Sequence, residues 1–259
     1  MSQKKYLTNQ IIFFATLTPV LVTAIGILKP LILPKITSAI PLNQSPFLMT
    51  LNFNLPPKGA PGKRRGGTTR DGYCSSEEQL IALMPGTNFG LTIAERPTFW
   101  FYVPYPETPG LEAEFSLTDK EGNEVVRQIV TLKNRPGIVK VTLPATVSPL
   151  ELEKFYTWRF SVICNPNNRL EDALVYGGVE RVSITSELES QLQDNNDRKP
   201  IDIYAENGLW FDLLTTLAEL RVANLQDTSI DEDWENLLQQ VKLEEIADKP
   251  FVDCCNSEE

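Results

Sequence analysis

The stretch Phe155-Tyr-Thr-Trp-Arg-Phe-Ser-Val-Ile-Cys164 sets Tyr156, Trp158, Phe160, Val162 and Cys164 on one face and Thr157, Arg159 and Ser161 on the other. A period of two is the pattern of a strand with one buried face. Working outward, further short strands appear at hairpin spacing. Thr98–Val103 (TFWFYV) is closed by Pro104, and Ala113–Thr118 leads into the polar turn Asp119-Lys-Glu-Gly-Asn123. Val125–Leu132 comes next, followed by the turn Arg135-Pro-Gly137 and then Ile138–Leu143, whose apolar set is Ile138, Val139, Val141 and Leu143. Leu174–Ile184 supplies the last strand. Strands at this spacing, with no helices between them, predict a mainly β protein built as an antiparallel β-sandwich. Leu152-x-x-x-Tyr156 just ahead of the Trp158 face matches the corner of immunoglobulin and fibronectin-III domains, where a tyrosine hydroxyl pins the backbone.

Beyond Ile184 the periodicity becomes helical. Ser186-Glu-Leu-Glu189 has the form of a capping box, and Pro200 suits a first helical turn. Tyr204, Gly208, Trp210, Leu213, Leu214, Leu217 and Leu220 follow the middle of a tetratricopeptide repeat, with Gly208 between two helices. Only one copy is present, and a solenoid needs several. The expectation is a small helical hairpin on the sandwich, then a third helix around Asp231–Ile246.

The N-terminal part differs in kind. Lys4 and Lys5 precede the uncharged apolar run Ile11–Leu28, which is the pattern of an export signal. Val22-Thr23-Ala24 and Thr37-Ser38-Ala39 are candidate cleavage sites. As a helix the run would span about 27 Å, close to the ~30 Å hydrocarbon core, so a retained anchor is the alternative. Both readings place the remaining chain outside the cytoplasm, in the periplasm or cell envelope. The expected organisation is a signal peptide or anchor at 1–39, a basic Pro/Gly-rich linker at 40–70, the sandwich at 71–185, the helical hairpin at 186–250 and a disordered tail at 251–259.

Charge follows the same division. Up to Arg70 there are nine Lys/Arg and no acid; beyond it 15 basic residues face 34 acids, a net −19. So acidic a body argues against a nucleic-acid surface. The 259 residues include no histidine. That excludes Ser-His-Asp and Cys-His catalysis and His-based zinc sites. Glu95, Glu112 and Glu114 are the nearest approach to paired carboxylates, and Glu112 and Glu114 share the face that solvated strand residues also occupy.

Of the four cysteines, Cys74 precedes the sandwich and Cys164 ends a core strand. Export permits a disulfide, and these two are predicted to pair. Cys254 and Cys255 are adjacent; they would form a vicinal bond, cross-link molecules or stay free. A four-cysteine metal site would need paired C-x-x-C knuckles, which are missing. No metal or cofactor is expected. The binding candidates are Arg64, Arg65 and Arg70 in Gly59–Gly72 (GAPGKRRGGTTRDG), where glycines and basic side chains suit an anion, and Trp100 and Tyr102 in the aromatic strand, where they would face a sugar or peptide. A flexible basic arm resting on the acidic body accounts equally for the first set, and core packing for the second.

Several stretches together carry a resemblance: Gly66-Gly-Thr-Thr-Arg70 followed by Cys74, Gly90-Leu-Thr-Ile-Ala-Glu-Arg-Pro-Thr-Phe-Trp-Phe-Tyr-Val-Pro-Tyr105, Gly137-Ile-Val139, Tyr156-x-Trp158-x-Phe-Ser-x-Ile-Cys164 and Tyr204-Ala-Glu-Asn-Gly-Leu-Trp210. Over roughly residues 58–250 the chain resembles the family catalogued as domain of unknown function 928, known mainly from cyanobacteria. The resemblance implies an exported protein with paired Cys74 and Cys164, and it carries no catalytic residues. The functional expectation is a non-enzymatic, envelope-associated module that binds a protein or glycan. A carboxylate-dependent hydrolase of envelope polysaccharide and a structural accessory of a surface assembly are the alternatives. Contact with membrane would come only through the N-terminal segment.

Overall fold

The computed structural model describes residues 51–67, 74–193, 199–253 and 255. The apolar run Ile11–Leu28, Arg70 and Cys254 lie outside the described residues. The body is mainly β. One sheet has the order β1-β3-β6, made of β1 (Ile81–Ala82), β3 (Thr98–Val103) and β6 (Gly137–Thr142). The other has the order β2-β8-β7-β4-β5. Its strands are β2 (Phe89–Thr92), β4 (Glu112–Asp119), β5 (Glu124–Thr131), β7 (Phe155–Val162) and β8 (Ala173–Arg181).

The expected alternation governs the packing. Tyr156, Trp158, Phe160 and Val162 are buried on one face of β7. Phe101 stacks on Phe160 at 4.0 Å between ring centroids, and Phe99 meets Phe115 at 4.9 Å, so these rings join the two sheets. Their neighbours Trp100 and Tyr102 point to the opposite face of β3, as strand geometry requires. That second face is also covered, which is why β3 is buried from Phe99 to Val103.

One feature corrects the expected topology. The sandwich is not wholly antiparallel, because β2 runs parallel to β8. β2 has four residues and pairs with a strand nearly ninety positions later, so no local turn sets its direction. The Asp119 turn is as expected: its carboxylate accepts the backbone N–H groups of Glu121 and Asn123 at 3.0 and 2.8 Å.

The C-terminal part holds four helices among the described residues: α1 (Ser186–Leu192), α2 (Lys199–Glu206), α3 (Trp210–Ala223) and α4 (Thr228–Gln240). The cap of α1 is Thr185, one residue ahead of the expected box; its hydroxyl accepts the Leu188 N–H at 3.2 Å. α2 turns into α3 at Gly208, which has φ +69°. Asp212, in the first turn of α3, accepts the Ile93 N–H at 3.1 Å and ties the helix to the end of β2. Burial pushes its carboxyl up to about 6. Among the described residues no helix is long and apolar enough to cross a membrane.

Two segments read as linker and tail are part of the body. Residues 51–67 form a strap across it. Leu51 and Phe53 are buried, Asn54 N–H donates to Ala205 O at 3.0 Å, and Lys63 and Arg65 form bridges with Tyr176 and Ile81. At the other end, Ile138 N–H donates to Pro250 O at 2.7 Å and Val252 N–H donates back to Ile138 O at 3.0 Å. Phe251 therefore sits beside β6 as a short parallel addition to its outer edge.

The predicted disulfide is present: Cys74 and Cys164 are bonded with their Cα atoms 5.2 Å apart. Cys255 is also disulfide-bonded.

Candidate functional site

The candidates Arg64 and Arg65 lie on the strap and are engaged within the fold. Arg64 Nη1 donates to Met84 O at 3.0 Å and Val241 O at 2.6 Å, and its Nη2 donates to Lys242 O at 3.2 Å. Val241 and Lys242 close the C-terminal end of α4, where carbonyls lack intrahelical partners and favour a cation. Arg65 forms an ion pair with Glu245. The strap's Lys58 pairs with Glu180. The basic arm is thus matched to acids and carbonyls of the body. Arg64→Ala is expected to lower stability by about 1–3 kcal/mol, since charge-assisted bonds are lost and buried carbonyls left bare. Urea denaturation checks this, and Arg64→Lys should recover only part of the loss because one ammonium nitrogen replaces the two spaced guanidinium nitrogens that reach the three carbonyls.

Tyr102 is likewise held internally. Its hydroxyl donates to the Glu78 carboxylate, which also accepts Lys249 Nζ at 2.8 Å. Burial and the adjacent carboxylate push the Tyr102 hydroxyl well above its ordinary range. The hydrogen bonds from Lys249 and Tyr102 hold Glu78 low.

Trp100 is the sequence candidate that reaches a surface depression. A groove of about 530 Å³ opens between β6, the C-terminal end of α3 and residues 251–253. Trp100, Ile138 and Lys140 form its sheet wall, Glu219 and Val222 its helix wall, and Phe251 its end. The indole is only 6% exposed. Its Nε1–H donates to Thr215 Oγ1 at 3.1 Å, and the Phe251 ring stands edge-on at 5.7 Å. Lys140 Nζ lies 5.6 Å from the indole centroid and 3.2 Å from the Glu219 carboxylate. A cation above an indole face is attracted by the ring quadrupole. Both members of the Lys140–Glu219 pair are about half exposed, so the pair stabilises little and exchanges readily with solvent or a ligand. Val222 is 52% exposed at the mouth.

The carboxylates weighed for hydrolysis are elsewhere. Glu95 pairs with Arg181 at 3.2 Å. Glu114 lies between Arg127 at 2.7 Å and Arg169 at 3.7 Å, and Glu112 is exposed at the start of β4. None of the three lines the groove. Among the described residues no cluster of three or more acidic or cysteine side chains is arranged to hold a metal ion.

Lys140, Glu219, Val222 and Phe251 escaped sequence reading. Lys140 reads as the polar member of an alternating strand, and Glu219 lies 79 positions away. The one available signal was Phe251-Val252 directly after Pro250, an apolar pair set between the charged residues Asp248-Lys249 and Asp253.

A family model described as Domain of Unknown Function (DUF928) matches residues 64–251. No curated protein matches the chain.

Proposed function

The chain belongs to the DUF928 family, whose description assigns no activity, and from the geometry of the groove we propose that it is a non-enzymatic binding module of the cell envelope. The observation that carries this reading is the groove itself, an apolar slot floored by Trp100 with an exchangeable Lys140–Glu219 pair across it. Such a site offers contact area and orienting charge. None of Glu95, Glu112 and Glu114 lines the groove, Glu95 and Glu114 are engaged with arginines, and of the groove's own acids Glu219 is paired with Lys140, which favours binding over hydrolysis.

An extracytoplasmic location is part of this reading. Its support is the Lys4-Lys5 and Ile11–Leu28 pattern together with the Cys74–Cys164 bond, a feature that persists in oxidising compartments. The sandwich is assigned to the immunoglobulin/fibronectin-III type on Tyr156, whose hydroxyl accepts the Glu151 N–H at 3.1 Å just upstream of β7. The α2–α3 pair serves as a single tetratricopeptide-like hairpin that supplies the helical wall.

Site-specific photo-crosslinking in the native envelope tests the reading. A photoreactive side chain at Val222 should give discrete adducts. The same group at Leu170, which is 97% exposed and does not line the groove, should not. Identical patterns from the two positions, or none from either, would overturn it.

A further inference from the structure

Resting on the binding reading above, we infer that the groove's occupant is an extended protein segment that adds as a strand to the outer edge of β6 at Lys140 and Thr142, with one apolar side chain entering between Trp100 and Val222.

β6 is an edge strand, paired only with β3 within its sheet. Backbone groups of alternate residues in an antiparallel strand point the same way. Ile138 directs both its N–H and its C=O outward, the N–H donating to Pro250 O and the C=O accepting from Val252 N–H. Lys140 and Thr142 therefore direct theirs outward too, and no described backbone group pairs with them there. The edge already takes extended chain in cis: Pro250–Val252 seats on it at Ile138. That segment then leaves, its Asp253 O accepting Asn134 Nδ2–H at 2.9 Å. The groove begins where the segment departs, so an incoming strand would continue a pairing the protein has itself begun.

The chemistry selects peptide over glycan. A sugar ring stacks on an open aromatic face, and the Trp100 face is covered by Lys140 and Phe251. A strand needs what is present, which is N–H and C=O groups, without a partner among the described residues, at a two-residue repeat beside a pocket for one side chain. The charged groups at the groove are Glu219 and Asp253 against Lys140, a local acidic excess. The favoured segment has an apolar residue flanked by a basic one, the basic group displacing Lys140 on Glu219.

The test uses the purified chain with its disulfide intact and a random heptapeptide library as probe. The selected peptides should carry the apolar–basic pair. Single N-methylation along the best peptide should weaken binding with a period of two, by roughly tenfold at edge-facing positions and under twofold at the others. Proton exchange at the Lys140 and Thr142 amides should slow on binding. Weakening without that period, binding only to a glycan array, or concentration-dependent self-association that peptide does not compete would each overturn the strand proposal. If no peptide binds while Val222 still crosslinks to an envelope component, strand addition fails and the binding reading stands. If both fail, the groove is not a binding site.

Discussion

Breaking the Cys74–Cys164 bond is expected to lower folding stability by about 4–5 kcal/mol. The bond closes a loop with a sequence separation of 90, and chain-entropy arguments give about that value for such a loop. The effect acts mainly on the unfolded chain, which without the bridge regains the freedom that the loop removed. Both sulfurs lie in the core, Cys74 at 0% exposure and Cys164 at 4%. Cys74→Ala/Cys164→Ala is therefore the better replacement, since serine would bury two hydroxyls as well. Urea denaturation of the oxidised protein, the reduced protein and the double variant provides the measurement. The double variant, which keeps the bond at Cys255, is expected well below the oxidised protein, and the fully reduced protein, which loses that bond as well, no higher than the double variant. A loss under 1 kcal/mol in both would show that the arm holds the body by packing alone.

Trp210→Ala should cost about 3–5 kcal/mol, the usual loss for a buried aromatic truncated to alanine. Trp210 begins α3 and is fully buried. Its Nε1–H donates to Leu83 O at 2.9 Å, and Phe53 of the strap packs edge-on against it at 5.1 Å. One side chain thus joins helix, sheet and strap. Trp210→Phe keeps much of the packing and loses the hydrogen bond, for an expected cost of about 1–3 kcal/mol. The two variants measured side by side separate the contributions. Equal losses would place the whole effect in the Leu83 hydrogen bond.

The sequence made some of this fold readable and hid the rest, for physical reasons. The strands β3 to β8 are legible because each has six or more residues and most present one face to the core, so period two survives. β1 has two residues, too few for any period. The strap misled because glycine and proline carry two meanings. At Gly62 the glycine is there for close approach, since a Cβ would lie 2.3 Å from the Asn88 Cβ and 2.9 Å from Tyr176 O. A composition that reads as flexible is here a condition of tight packing. The aromatic strand was half legible. Alternation separates Phe99 and Phe101 from Trp100 and Tyr102, but which of the second pair meets a groove depends on α3 and Phe251, both more than a hundred residues downstream.

The bond between Cys74 and Cys164 also bears on how the protein carries load. Suppose tension reaches the body through the chain that enters at Leu51. The strap's bridges at Lys63 and Arg65 would give way one after another, as an edge peels. At Cys74 peeling stops, because the covalent link passes the force to Cys164 just past the end of β7, a central strand bonded on both sides. From there rupture requires whole ladders to shear together. Under such a load the disulfide would act as a mechanical stop between a strap that yields first and the β7 ladders behind it.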